Sequence, residues 1–179
     1  MRMKSIAILM SAAFVTTLFA TRDLHGEERK MSTPSIASPA FPHNGMIPSK
    51  YTCDGADVNP PLSFDNIPGK SKSLALIVDD PDAPRGTWVH WVVWNIGPGT
   101  MTIAENSVPH GALQGTNDFR KQGYGGPCPP SGTHRYFFKL YALDTLLSLK
   151  AGATKAQLVE EMKGHVLGSS ELIGLYRRR

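Results

Sequence analysis

Residues 123–136 read Gly-Tyr-Gly-Gly-Pro-Cys-Pro-Pro-Ser-Gly-Thr-His-Arg-Tyr, with four glycines, three prolines and a cysteine in one stretch. Glycine lets a backbone pass close to a neighbour or take positive φ, and proline fixes φ and removes an N–H donor. Such a stretch cannot be helical, and its prolines stiffen what its glycines would leave loose. It opens into Phe137-Phe138-Lys139-Leu140-Tyr141, an apolar and aromatic run. The stretch therefore predicts a rigid rim that delivers His134, Arg135 and Tyr136 onto the start of a strand.

The remaining chain supplies strands to carry that rim. Residues 73–78 (Ser-Leu-Ala-Leu-Ile-Val) are apolar throughout, as in a strand buried on both faces. Residues 87–96 are rich in valine and tryptophan and read as a second core strand. A period of two puts Trp88, His90, Val92 and Trp94 on one face of it, and Val89, Trp91 and Val93 on the other. A third core strand is expected over 136–143, and a closing strand over 171–176. Residues 41–68 are dense in Pro, Gly, Asn and Asp with short apolar pieces, which fits short strands between turns. Asn59-Pro60-Pro61 excludes a helix there. One capping box, Thr154 with Gln157, introduces an amphipathic helix of three to four turns carrying Leu158, Val159, Met162, His165 and Val166, with Gly168 as its stop. One helix among many short strands predicts a mainly β fold, most simply a two-sheet sandwich.

The formal net charge of +4 misleads about partners. Residues 1–30 hold five basic and three acidic residues, and from residue 31 on there are 14 basic against 12 acidic. Three of those basic residues are the tail Arg177-Arg178-Arg179, so the body offers no basic stripe for a nucleic acid. Residues 1–26 are expected to be a secretory signal with an ill-defined cleavage site, because basic Arg2 and Lys4 precede a mostly apolar run over 5–20. An uncleaved anchor is the alternative. Residues 27–37 read as a linker or disordered segment, and residues 38–177 as one domain. Two cysteines, Cys53 and Cys128, lie 75 positions apart. In an exported chain that count suggests one disulfide, with two buried thiols as the alternative.

Taken singly, the polar candidates have ordinary explanations. Asp80 and Asp82 flank Pro81 in a strand-end turn where aspartates commonly accept backbone N–H groups. His90 sits among tryptophans and valines like a core histidine, and His134 fits either a ligand contact or a loop anchor. There is no Gly-x-Ser-x-Gly elbow, no Walker loop, and no HxxxH, HxH or CxxC spacing, so neither a hydrolase nor a metal or cofactor site is indicated. Together, imidazoles and glycine-rich backbone suit an anion such as phosphate, with tryptophan and prolines as apolar walls.

Asp80-Pro-Asp-Ala-Pro84 followed by His90-Trp91, and then Gly132-x-His134-Arg135, resemble the two signature regions of the phosphatidylethanolamine-binding protein family. The bacterial and archaeal branch, often labelled Raf-kinase-inhibitor-like, is also echoed by Tyr51-Thr-Cys-Asp-Gly55, Pro60-Pro61-Leu62, Asn117-Asp118-Phe119 and the 123–130 run. The resemblance implies a Greek-key-like two-sheet β-sandwich with an anion pocket at one end. It would place Asp80, His90, Gly126, Pro127, His134 and Tyr136 around the ligand, with Asp82 and Trp88 in support and Arg135 holding the loop. The function implied is exported, non-enzymatic binding of a phosphate or phospholipid head group. The alternatives are a protein-interaction module, acting as a protease or signalling inhibitor through the rim, and, behind it, a phosphoester-acting enzyme. A protein partner and a homodimer stay open. Compared with animal members, only residues 83–89 separate the aspartate turn from His90, and the chain stops soon after Tyr176, without their C-terminal helix. Kinase regulation and lipid preference therefore do not transfer with the resemblance.

Overall fold

The computed structural model describes residues 33–178, so the expected signal segment and most of the expected linker lie outside the described residues. Among the described residues nine strands form two sheets: β1 (Ser35–Ala37), β2 (Gly45–Met46), β3 (Leu62–Asp65), β4 (Ser73–Asp80), β5 (Trp88–Ile96), β6 (Thr102–Ile103), β7 (Leu113–Gln114), β8 (His134–Leu143) and β9 (Val166–Tyr176). The smaller sheet runs β1-β3-β6 and the larger β2-β9-β8-β4-β5-β7. The mainly β, two-sheet class expected from the sequence is what is seen.

Between the sheets lies the main core, where Ile36, Phe64 and Ile103 of the small sheet meet Leu76, Trp91, Tyr136 and Phe138 of the large one. The outer face of the large sheet carries a second core, in which Ile77, Val92 and Trp94 pack under Leu147, Leu158 and Met162. This explains the continuous apolar run of β4, which is flanked by β5 and β8 and buried along its whole length.

Three expectations are corrected. The single α-helix among the described residues, α1 (Lys155–Glu161), is only seven residues long, about two turns. Its capping box forms as expected, but Gly164 at φ 78° turns the chain, and β9 begins at Val166, five residues before the expected closing strand. Ser35–Ala37, read as part of a linker, pairs with β3 from Ser35↔Asp65 to Ala37↔Ser63. Its Ile36 reaches the main core, so a short apolar contact decides what polar composition had suggested otherwise.

The third correction concerns β5. Opposite it, Val78 pairs with Trp91 but Asp79 pairs with Val89, so His90 is the extra residue of a β-bulge. A bulge resets the alternation of a strand. Trp91 and Val93 consequently face the main core while Val89, Val92 and Trp94 face the outer one, and the strict two-residue period fails at His90. A second irregularity follows between Val93 and Ile96, where Asn95 sits at φ 54° and exchanges two 2.9 Å hydrogen bonds with the backbone of Leu147.

Candidate functional site

Where β4 ends, β8 begins and β5 bulges, the large sheet leaves a cavity of about 200 Å³. Its polar lining is Asp80, Trp88, His90 and His134; Ala83, Pro84 and Phe119 form one wall, and Cys128, Pro129 and Pro130 the other. Asp80 is the last residue of β4 rather than part of a turn, and it is buried. Its Oδ1 accepts the Asp82 N–H at 2.8 Å, and its Oδ2 accepts from His134 Nδ1 at 2.7 Å. The β-register that starts β8 at His134 thus locks one imidazole to the carboxylate.

His90 is locked differently. Its Nδ1 donates to the Gly125 carbonyl at 2.6 Å, and Gly125 N–H donates back to the His90 carbonyl at 3.0 Å. A carbonyl only accepts and so does an ionised carboxylate, so both histidines carry a proton on Nδ1. Each keeps Nε2 as its other ring nitrogen, an acceptor when the ring is neutral and a donor when it is protonated. Burial pushes the His90 imidazole below its ordinary value, against the opposing pull of the Gly125 carbonyl and the Asp80 charge. Tyr136 stands edge-on to His90, with ring centroids 5.2 Å apart. Its phenol is pushed above the usual tyrosine range, chiefly by burial and then by the neighbouring Asp80 carboxylate.

Asp82 and Arg135 lie just outside the cavity and brace it. The Asp82 carboxylate receives Arg135 N and Nε, each at 2.9 Å, and Arg135 also reaches its other oxygen at 2.7 Å. These bonds hold the Asp82 carboxyl down at about 2, with the guanidinium bonds as the largest cause. The pair's contribution to stability is full above the unfolded aspartate value of about 4 and is lost as pH falls through about 2. In Arg135→Ala the Asp82 carboxyl is expected to titrate back near 4, read by NMR across an acid pH series.

Of the residues expected around the ligand, Tyr136, Gly126 and Pro127 are not among those that line the cavity. Gly126 donates its N–H to Asp57 Oδ1 at 2.6 Å, so that donor is already engaged. A Cβ there would fall 2.7 Å from Thr52 Cα and 2.7 Å from the Tyr51 carbonyl oxygen, so the glycine serves close backbone packing. Pro127 accepts the Cys53 N–H at 3.1 Å. The two residues fasten the loop to the 51–57 segment, and the next three residues, Cys128, Pro129 and Pro130, face the cavity. Cys53 and Cys128 are disulfide-bonded, with Cα atoms 5.4 Å apart.

Phe119 had no assigned role in the sequence reading, yet its ring meets both Trp88 (5.4 Å) and His90 (5.3 Å). It arrives there because the 117–125 loop is latched to the bulge. Val89 N–H donates to Asp118 Oδ2 at 2.7 Å, Asp118 N–H to the Val89 carbonyl at 3.0 Å, and Asn117 Nδ2 to the Gly123 carbonyl at 3.0 Å. Gly125 makes room for the ring, since a Cβ on it would lie 2.6 Å from Phe119. The sequence signal was the pairing of an Asn-Asp-aromatic turn with a glycine six positions on, which means nothing until the strand bulge is known. Among the described residues no three His, Cys, Asp or Glu side chains gather as a metal site.

The profile of the family described as phosphatidylethanolamine-binding protein matches residues 37–177. The chain belongs to the phosphatidylethanolamine-binding protein family. A UPF0098 protein of Methanothermobacter thermautotrophicus is 56% identical over 149 residues, covering 80% of this chain and 99% of the relative. One from Pyrococcus horikoshii is 46% identical over 185 residues, covering 99% of this chain and 91% of its own. The crystal structure of the family homolog CT736 from Chlamydia trachomatis superposes with a TM-score of 0.80 at 44% identity, over 83% of this chain and 99% of that one. Escherichia coli YbcL, described as a member of the mammalian family, gives 0.77 at 28% identity, over 83% of this chain and all of its own. Family membership and the two-sheet fold thus rest on sequence and on structure independently.

Proposed function

We propose that the cavity binds a small phosphate-bearing anion, free or as a phospholipid head group, and that the protein is an exported binding protein rather than an enzyme. The observation that carries this is an orphaned donor beside two imidazoles. Trp88 Nε1 is buried without a hydrogen-bond partner, and Trp88 lines the cavity together with His90 and His134. An unpaired buried donor costs about 1–3 kcal/mol, and an anion in the cavity offers acceptors that would remove the cost. Turnover has less support. The lining includes no serine or threonine, and its one cysteine is tied up in the disulfide. Export is supported by the basic-then-apolar start of the sequence, and an intact mass of the mature protein would test it by locating the N-terminus.

Calorimetric titration with inorganic phosphate and with glycerophosphoethanolamine tests the site. His90→Ala and His134→Ala are each expected to weaken binding about tenfold or more, as for the loss of a charged hydrogen bond. Unchanged affinity in both variants would sink the reading. A phosphodiester keeps one charge between about pH 5 and 8, so its pH dependence reports the protein. Because burial lowers the His90 value, the free ring is neutral near pH 7 and must gain a proton to donate from Nε2. Affinity for the diester should therefore rise as pH falls, with proton uptake on binding.

A further inference from the structure

The cavity wall formed by Cys128, Pro129 and Pro130 is anchored unevenly. Upstream of Cys128 the loop is held by three hydrogen bonds to the 51–57 segment: Tyr124 Oη to the Tyr51 carbonyl at 2.9 Å, Gly126 N–H to Asp57 at 2.6 Å, and Cys53 N–H to the Pro127 carbonyl at 3.1 Å. Downstream, residues 129–133 make no backbone hydrogen bond or bridge to any other described residue until β8 pairs at His134. Pro129 and Pro130 have no N–H to offer. The disulfide at Cys128 is thus the last fastening of the wall before the strand. Its partner Cys53 is exposed while Cys128 is half-buried, so the bond is open to an incoming thiol from the Cys53 side.

We propose that the Cys53–Cys128 disulfide is a redox switch for the cavity, in which reduction frees the Cys128–Pro130 wall and weakens anion binding. The proposal rests on the anion-site reading above and adds a control over it. A dithiol reductant supplies the chemistry. Its thiolate attacks Cys53 Sγ, the S–S bond breaks, and the electron pair leaves on Cys128 Sγ, which takes up a proton. The second thiol of the reductant then displaces Cys53 and departs as the cyclic disulfide, so two electrons and two protons end on the two cysteines. The three upstream hydrogen bonds and the sheet pairing do not involve sulfur, and they confine the change to residues 128–133. A loosened wall admits water around His90 and His134, and charge-assisted hydrogen bonds weaken in a wetter site.

Oxidised and dithiothreitol-reduced wild-type protein would be compared in two measurements. Amide hydrogen exchange requires no ligand, and reduction is expected to raise exchange in peptides covering 128–133 while β4, β5 and β8 stay protected. Phosphate titration of the same samples is expected to show at least about a fivefold loss of affinity on reduction, reversed by reoxidation, and Cys53→Ser should behave as the reduced form. Unchanged exchange at 128–133, or equal phosphate affinity in the two redox states, would overturn the switch. Absence of phosphate binding in both states overturns the anion-site reading and the switch with it, while changed exchange beside equal affinity overturns the switch alone.

Discussion

Asp80→Ala is expected to lose about 3 kcal/mol of folding stability and to weaken phosphate binding by at least about thirtyfold. Asp80 is 3% exposed, and its carboxylate serves two donors at once, the Asp82 N–H and His134 Nδ1–H. Removing it leaves a buried imidazole without its acceptor and frees the ring to rotate, so His134 Nε2 no longer has a fixed aim. It also detaches the start of the 82–87 turn, whose Ala83 and Pro84 line the cavity. Asp80→Asn separates the effects, because its single amide oxygen can still accept from Nδ1 without supplying charge, while its NH2 meets the Asp82 N–H in place of an acceptor. That variant should lie between wild type and alanine in both stability and affinity. Urea unfolding and calorimetry would be run on all three; wild-type affinity in a folded Asp80→Ala protein would remove Asp80 from the site.

The double variant Cys53→Ser/Cys128→Ser is expected to lose about 2–4 kcal/mol and to melt about 5–15 °C lower under oxidising conditions. The cross-link closes a loop with a sequence separation of 75 residues, long enough for a large loss of unfolded-state entropy when it forms. The folded state has other contacts at the same place, so the variant should still fold: Gly126 remains packed on Tyr51 and Thr52, and Cys53 N–H still meets the Pro127 carbonyl. Thermal unfolding with and without reductant would check this. A loss under about 1 kcal/mol would mean that the unfolded chain already keeps the two segments close.

Much of the fold was legible because long apolar runs leave few choices. β4, β5 and β8 were located to within two residues at each end, and the capping box of α1 was found outright. Of the short elements, β2 and β3 lie in the 41–68 stretch expected to hold short strands, but β1 was not legible. Ser35–Ala37 carries a single buried apolar residue, Ile36, which no periodicity argument can detect. The overlong helix followed from counting Val159, His165 and Val166 toward an apolar face, whereas Val159 and Val166 are exposed and only Leu158 and Met162 reach the core. In the structure, Asp80, His90 and His134 line one cavity, while composition alone left each with an ordinary explanation. Gly126 does not line that cavity. A glycine allows close approach, but sequence does not say to what, and here the neighbour is backbone.

The bulge at His90 sets one residue of a core strand apart from its neighbours. Val89, Val92 and Trp94 are committed to one core, Trp91 and Val93 to the other. The bulged residue belongs to neither set, yet it is 2% exposed, bonded to the Gly125 carbonyl and packed edge-on against Phe119 and Tyr136. The strand thus hands a fully buried side chain to the cavity, and the same contacts that hold that imidazole still tie the cavity wall to the 117–125 loop and to the main core.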